Sequence, residues 1–358
     1  MEQRNKRYCV IMAGGIGSRF WPLSKDNYPK QFLDILGTGK SFIRSTFERF
    51  LPVVPAENFV VVTNKNYKQL VLEHLPELKE NQVLCEPMRR NTAPCIAYAN
   101  YHIKSHCPEA SVVVTPADHL VTNEREFQHI IEMGFDFVEQ PAHQESLLTI
   151  GIKPSRPETG YGYIEIEHGA WQGPKSEVVP MSSFKEKPDL ETAKKFLAAG
   201  NFFWNSGIFV WSMEGISKAF ASFLPDMVKL FNQGTEKFGT DEEQAFIDGI
   251  FPDCENISID YGVMERSTNR FTIPADFGWS DIGTWGSLFT HAQKDADNNA
   301  VSGKVVTVDT HNTIVNVENG TQAIVQGLDN CLVAYRDKSL LVCRLEDEQQ
   351  IKHWVEKL

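Results

Sequence analysis

The sequence predicts an α/β protein: a doubly wound, mixed and mostly parallel sheet, then a small strand-rich C-terminal segment. Three observations predict it. Strand-sized apolar runs alternate with segments of helical period through residue 152. The run at 8–13 leads directly into a loop holding Gly14, Gly15 and Gly17. Beyond residue 298 the runs are short, strand-like and separated by turns.

Taken in order, 8–13 reads as a buried strand and 41–50 as a helix. Residues 58–63 are β-branched and strand-like, 65–74 helical, 82–85 a short strand and 93–105 a helix. Residues 111–115 contain three consecutive valines and end in Thr115-Pro116-Ala117-Asp118-His119. The following helix spaces Phe127, Ile130, Ile131, Gly134, Phe135 and Val138 on one face, and 147–152 is a strand. Ligands of such sheets bind beyond the carboxyl ends of the strands. The middle of the chain mixes strands at 161–167, 178–184 and 208–211 with helices at 190–199, 215–224 and 242–250. That mixture predicts an insertion or second lobe over the sheet. Short strands at 305–308, 313–317, 322–325, 331–334 and 340–342 precede a helix at 346–357. A polar run at 294–299 places the boundary between segments 1–295 and 296–358.

Composition narrows the function. A chain of 358 residues, 42% apolar, can bury the core of one large domain and a small one. Its net charge of −12 argues against nucleic acid as a partner, because a phosphate backbone requires a basic footprint. A local basic cluster with a metal can still receive a small anionic substrate. No apolar stretch reaches the roughly 18 residues of a membrane span, which argues against a membrane role. The charged residues 1–7, followed only by a short strand, do not read as a signal peptide. Seven cysteines without a C-x-x-C pair fit reduced thiols in the cytoplasm, with Cys9, Cys85, Cys95 and Cys331 as small core hydrophobes. His102 and His106, four apart beside Cys107, read as a solvated helix face rather than a zinc site.

The glycine loop carries the chemistry. Backbone without Cβ atoms lets N–H groups approach phosphate oxygens, and Arg19 and Lys30 add fixed positive charge beside it. The alternative is a plain tight turn. The dinucleotide fingerprint fails because Phe20 stands where its third glycine belongs. The Walker pattern at Gly39-Lys40-Ser41 fails because Asp34 occupies its first glycine position; Ser41 instead reads as a helix cap.

The run from Met12 to Leu33, M-A-G-G-I-G-S-R-F-W-P-L-S then P-K-Q-F-L, resembles the signature of sugar-nucleotide pyrophosphorylases, specifically bacterial mannose-1-phosphate guanylyltransferases. The resemblance implies a Rossmann-like, GT-A-like nucleotidyltransferase domain and a C-terminal left-handed β-helix. It implies a cytoplasmic, Mg²⁺-dependent enzyme using GTP and mannose 1-phosphate; a homodimer is compatible with it. Ala13, Gly14, Gly15, Gly17, Ser18 and Arg19 would hold the nucleotide, with Arg19, Lys30 and Lys187 catalytic. Asp118 and Asp281 match the family's metal aspartates, in T-P-A-D-H and W-S-D-I-G-T-W. A turn aspartate and a helix cap are the respective alternatives. The stretch from Glu86 to Pro94 matches the family's purine pocket, with Glu86, Asn91 and Thr92 contacting the nucleotide and Asp118 reaching it too. F-K-E-K-P at 184–188 matches a sugar-phosphate motif, giving Glu186 and Lys187, and Gly162 and Asn205 complete the hexose set. An exposed charge run and a turn asparagine are the alternatives there, and Glu165 is a weaker candidate. Many members continue into a cupin-type isomerase domain; no such segment is present here, so the chain reads as a monofunctional short form. The competing readings are the same transfer on another sugar phosphate or nucleotide, such as a heptose or glucose phosphate, and a non-catalytic sugar-nucleotide-binding regulator.

Overall fold

The computed structural model describes residues 4–171, 173 and 176–358, so the first three residues of the charged N-terminus lie outside it. Packing divides the chain into two compact units that are discontinuous in sequence. The first comprises Met1–Gly14, Phe47–Ala117 and Val121–Trp279; the second comprises Gly15–Thr46, Asp118–Leu120 and Ser280–Leu358.

The first unit is a nine-stranded sheet flanked by helices. Its strands are β1 (Arg7–Met12), β2 (Phe59–Asn64), β3 (Val83–Glu86), β4 (Ser111–Pro116), β5 (Leu147–Ile152), β6 (Tyr163–Ile166), β7 (Val179–Lys185), β8 (Phe202–Ser212) and β9 (Arg270–Ala275). They lie in the order β3-β2-β1-β4-β8-β5-β9-β7-β6. The β3-β2-β1-β4 half is parallel, with Cys9 opposite Phe59 and Val113, and Val62 opposite Leu84. The long strand β8 then runs antiparallel to β4, β5 and β6, while β9 is parallel to β5. The sheet is therefore mixed, as expected, and the middle strands, expected in an insertion or second lobe over the sheet, lie within it. The middle strands β6, β7 and β8 join the sheet itself. Their alternating pattern, as in β7 where Val179, Met181 and Phe184 are buried between exposed neighbours, marks sheet membership and carries no record of which sheet.

Cys9, Val10 and Ile11 of β1 are fully buried, as a central parallel strand covered on both faces requires. Helix Glu124–Val138 starts at the Asn123 cap, whose side chain accepts the Glu126 N–H. It buries Phe127, Ile130, Ile131, Gly134, Phe135 and Val138, the predicted stripe. Each large side chain so buried stabilises by about 1.5–3 kcal/mol. Helix Thr92–His106 also packs inward, and here one expectation fails: His102 is buried, its Nδ1 2.8 Å from Glu243 Oε1. A carboxylate arriving from 141 positions away leaves no trace in local periodicity.

In the second unit, strands β10 (Ala300–Ser302), β12 (Ile314–Val317), β14 (Cys331–Arg336) and β15 (Ser339–Arg344) form one sheet, and β11 (Lys304–Val308) pairs with β13 (Gln322–Gln326). Val305 lies opposite Ala323 and Ile314 opposite Leu332, each 18 residues on, in parallel register. Coils stacked at that repeat are β-helix-like, around a core of Val315, Val317, Val325 and Val333. A second cluster joins Phe20, Leu23, Leu33, Ile35 and Phe42 to Ile282, Trp285, Leu288, Ile314, Leu332 and Ile351. That cluster is why residues 15–46 pack with the C-terminal strands, where a division of the linear chain at residue 295 assigns them to the N-terminal segment. The expected terminal helix is shorter: a 3₁₀ stretch Leu345–Gln350, then helix Ile351–Val355.

Candidate active site

The second unit carries the loop after Gly14. Gly17 has φ +68°, and a Cβ there would lie 2.4 Å from Lys30 Cβ, so glycine is required on both counts. This loop thus passes over Lys30, whose backbone N–H donates to Ile16 O at 3.2 Å. The Lys30 side chain is 4% exposed and runs inward. Its Nζ donates to the Asp118 carboxylate at 2.9 Å, to the Asp118 carbonyl at 3.1 Å and to the Asp281 carbonyl at 2.7 Å. The three contacts match the three donors of an ammonium. One buried lysine therefore clips together the two aspartates that sequence placed 163 positions apart. Burial works to raise the Asp118 pKa, but the Lys30 charge, with His119, holds that carboxyl below its usual range.

Asp281 Oδ1 accepts the Gly283 N–H at 3.1 Å, while the helix after it, Trp285–His291, is capped by Thr284. Capping that helix is therefore not the task of Asp281. Arg19 is exposed at the short 3₁₀ turn Ser18–Phe20, Ser18 beside it is half-buried and Gly15 is exposed. Arg19 Nη1 lies 3.5 Å from where a Gly283 Cβ would stand, so the guanidinium borders the Asp281 turn. Among the described residues no group of three or more His, Cys, Asp or Glu gathers as a metal cage. Lys30 brings Asp118 and Asp281 together, and a hard divalent cation takes one or two carboxylates and fills its other positions from phosphate and water. The Walker-like segment behaves as a turn: Asp34 accepts the Thr38 and Gly39 N–H groups, and Ser41 Oγ accepts the Arg44 N–H at 3.4 Å.

The first unit carries two further groups. At the carboxyl edge of its parallel strands, Ala13 donates its N–H to Val62 O and accepts from Thr63 Oγ1. Gly14 approaches Glu86, whose Oε2 would lie 3.3 Å from a Cβ there. Glu86 is buried, its Oε1 has no partner, and burial pushes its pKa up to about 8. At pH 7 this carboxyl is mostly protonated and can donate as well as accept. Asn91 sits at φ +67° and caps helix Thr92–His106 by accepting the Thr92 N–H, and Thr92 Oγ1 accepts the Ile259 N–H at 2.9 Å. Both hold the helix N-terminus in place, so the Thr92 hydroxyl already has structural work.

The second group joins Gly162, Glu186, Lys187 and Asn205. A Cβ on Gly162 would stand 2.4 Å from Glu186 Oε2, so only glycine lets that carboxylate close in. Glu186 is buried, Oε2 lacks a partner, and Oε1 accepts from Lys187 Nζ. Lys187 has φ +44°, unusual for a side-chain-bearing residue, and its side chain is 57% exposed. Burial works to lower its pKa, but the Glu186 carboxylate raises it. The Asn205 side chain is braced: its Oδ1 accepts from Thr149 Oγ1 at 2.9 Å and its Nδ2 donates to Asp260 Oδ1 at 2.8 Å. Sequence reasoning missed Asp260, and also Glu265, which accepts the Glu186 N–H at 3.0 Å. Burial and then the nearby Glu186 push Asp260 up to about 6. The available signal was weak: Asp260–Met264 is π-helical, an irregularity frequent at functional sites that no hydrophobic period betrays. Glu165, the weaker candidate, accepts from Ser183 Oγ in the adjoining strand.

A glycine loop over a buried lysine that ties two aspartates together, and a separate carboxylate-lysine group, are parts that a phosphate-transferring enzyme of the nucleotidyltransferase kind can use. The chain belongs to the nucleotidyl transferase family, which matches residues 8–298. Residues 303–358 match the mannose-phosphate isomerase/GMP-like β-helix domain. The chain is 35% identical over 98% of its length to a mannose-1-phosphate guanylyltransferase of Escherichia coli, covering 75% of that protein. It is 34% identical to the alginate biosynthesis protein AlgA of Pseudomonas aeruginosa, over 98% of this chain and 71% of that one. A Thermus thermophilus structure described as a mannose-1-phosphate geranyltransferase superposes with TM-score 0.83 at 27% identity, covering 98% of this chain and 99% of that chain. Among the described residues no helix is long and apolar enough to cross a membrane.

Proposed function

We propose that the protein transfers GMP from GTP to α-D-mannose 1-phosphate, releasing GDP-mannose and pyrophosphate. A phosphate oxygen of the sugar attacks the α-phosphorus of GTP. The new P–O bond forms as the bond to the β-phosphate bridging oxygen breaks, and pyrophosphate leaves. Such a displacement needs positioning and charge stabilisation more than covalent help. The observation that carries the reading is the Lys30 clip, which converges Asp118 and Asp281 beneath the Gly17 loop. The relatives named as mannose-1-phosphate guanylyltransferases support the choice of nucleotide and sugar.

In this reading Asp118 and Asp281 hold Mg²⁺, which when bound screens charge on the phosphates. Gly15, Gly17 and Ser18 offer N–H groups to the triphosphate, and Arg19 pairs with it through its planar fork. Ala13, Gly14, Glu86, Asn91 and Thr92 serve the nucleoside, with protonated Glu86 able to donate to an acceptor on the base. Lys187 pairs with the sugar phosphate, Glu186 accepts from hexose hydroxyls, and Gly162 and Asn205 complete that contact. The reading places the enzyme in the cytoplasm and accommodates a homodimer. In the linear chain it keeps 1–295 as the nucleotidyltransferase segment and 296–358 as the β-helix-like segment.

Product analysis tests it. Incubation with GTP, mannose 1-phosphate and Mg²⁺ should yield equal amounts of GDP-mannose and pyrophosphate by chromatography and mass spectrometry, and chelation should stop both. GTP hydrolysis without GDP-mannose would remove the assignment.

A further inference from the structure

Residues 257–265, all in the first unit, bond to both groups that the proposed function gives to the two substrates, yet the proposed chemistry leaves this segment without a part. At its start the segment holds the helix Thr92–His106. Ile257 O accepts the Ala93 N–H at 3.1 Å, and the Ile259 N–H donates to Thr92 Oγ1 at 2.9 Å. The first N–H groups of a helix have no intrahelical acceptor, so Ile257 supplies one from outside. Further on, the segment holds the sugar group. Asp260 Oδ1 accepts from Asn205 Nδ2 at 2.8 Å, and Glu265 Oε1 accepts the Glu186 N–H at 3.0 Å. Between these ties Ile259, Val263 and Met264 are fully buried in the core, and the Glu265 N–H closes back on Asp260 O at 2.8 Å. A close-packed segment of this kind transmits a displacement of one end to the other.

We infer that residues 257–265 couple the two substrate groups: a nucleotide seated at the Thr92 end sets Asn205 and Glu186 for the sugar phosphate, with Asp260 as the positioning residue. The inference rests on the proposed function for the assignment of those groups. Burial and Glu186 push the Asp260 carboxyl up while Lys187 draws it down, so Asp260 is within electrostatic reach of both members of the carboxylate-lysine pair. Asp260 acts through Asn205 and needs no contact with either substrate. Coupling of this kind is reciprocal, so the sugar phosphate tightens the nucleotide by the same factor. The competing account is a fixed scaffold, in which the same bonds hold both groups still whether or not a nucleotide is present.

The full chain with Mg²⁺ is titrated calorimetrically with mannose 1-phosphate, alone and then saturated with α,β-methylene-GTP, whose bridge the transfer cannot cleave. The nucleotide should tighten mannose 1-phosphate at least about fivefold. Asp260→Ala should cut that factor below about twofold, and Asp260→Asn, whose Oδ1 can still accept from Asn205, should restore it. A scaffold role would weaken sugar-phosphate binding equally in both states and leave the factor unchanged, as would direct contact between the two ligands. Hydrogen–deuterium exchange on the wild type gives a readout independent of either variant folding: the nucleotide analogue alone should slow exchange of the Glu186 N–H held by Glu265. Equal sugar-phosphate affinity in the two states, a factor that survives Asp260→Ala, or unchanged exchange at Glu186 would each overturn the coupling. If mannose 1-phosphate binds in neither state, the sugar assignment falls and the exchange experiment alone decides the coupling; a chain that binds neither ligand overturns both.

Discussion

Lys30 and Lys187 both stand beside carboxylates, and the two regions use them in opposite ways. The Lys30 side chain is 4% exposed and its three donors all meet protein oxygens, two of them main-chain carbonyls. The Lys187 side chain is 57% exposed, pairs with Glu186 and sits on backbone at φ +44°. A residue held in a sparsely populated conformation costs of order 1–3 kcal/mol and persists where surroundings over-determine it, often at functional sites. The difference teaches that positive charge beside a phosphate loop is not one role. Lys30 fixes where two aspartates stand. Lys187 keeps donors available to a ligand.

The largest expected effect breaks the first half of that comparison. Lys30→Met leaves Asp118 without its buried partner and two carbonyls without donors. Removing one partner of a buried pair costs about 3–5 kcal/mol, so the melting temperature should fall by more than about 5 °C, and turnover should drop with it. An unchanged melt would mean the clip is not structural.

The aspartates come next. Asp118→Ala and Asp281→Ala should each lose about 10²-fold or more in kcat, as when one charge-stabilising group is removed. Their stabilities should differ. Asp281→Ala keeps the main-chain carbonyl that Lys30 uses, while Asp118→Ala removes an ion pair. Equal melting temperatures for the two variants would contradict the geometry.

Lys187→Ala sharpens the second half. The lysine end of its ion pair is exposed but the Glu186 end is buried, so stability should fall by about 1–3 kcal/mol as that carboxylate loses its partner. The kcat/KM for the sugar phosphate should fall by about 10–100-fold, with the KM for GTP little changed. A large loss of stability with unaltered kinetics would move Lys187 to a structural role. Arg19→Lys is smaller: charge survives but the fork does not, so kcat/KM for GTP should drop by about tenfold, equal to about 1.4 kcal/mol. Silent kinetics would count against the phosphate-loop reading.

The last concerns Asp260, pushed up to about 6 by burial and by Glu186. Because the folded pKa lies above the unfolded one, this group lowers stability as pH rises from about 4 to 6, and the loss is complete above that. Asp260→Asn should therefore gain relative to wild type at pH 7.5 compared with pH 4.5, by at most about 3 kcal/mol. Thermal melts at the two pH values read the difference; a gain in the opposite direction would contradict the assigned cause.

The parallel half of the sheet was legible because buried strands leave apolar runs, and the stripe from Phe127 to Val138 because helices bury one face in every turn. The glycine loop was legible because Gly17 answers a local demand on φ and on contact. The burial of Lys30 was not: a lysine in sequence reads as surface charge, and its partners Asp118 and Asp281 lie 88 and 251 positions away. The same distance hid β9, the His102–Glu243 pair and the Asp260 brace on Asn205. The grouping of residues 15–46 with the C-terminal strands follows from Phe20, Leu23 and Phe42 burying with Trp285 and Ile314, which composition along the chain does not display.

The measurement closest to the central claim is pyrophosphate release across a matrix of nucleotides and sugar phosphates: GTP, UTP and dTTP against mannose, glucose and heptose 1-phosphates. The account predicts the highest kcat/KM for GTP with α-mannose 1-phosphate. A higher kcat/KM with UTP or dTTP would contradict the guanylyl assignment, and a higher one with glucose or heptose 1-phosphate would contradict the sugar.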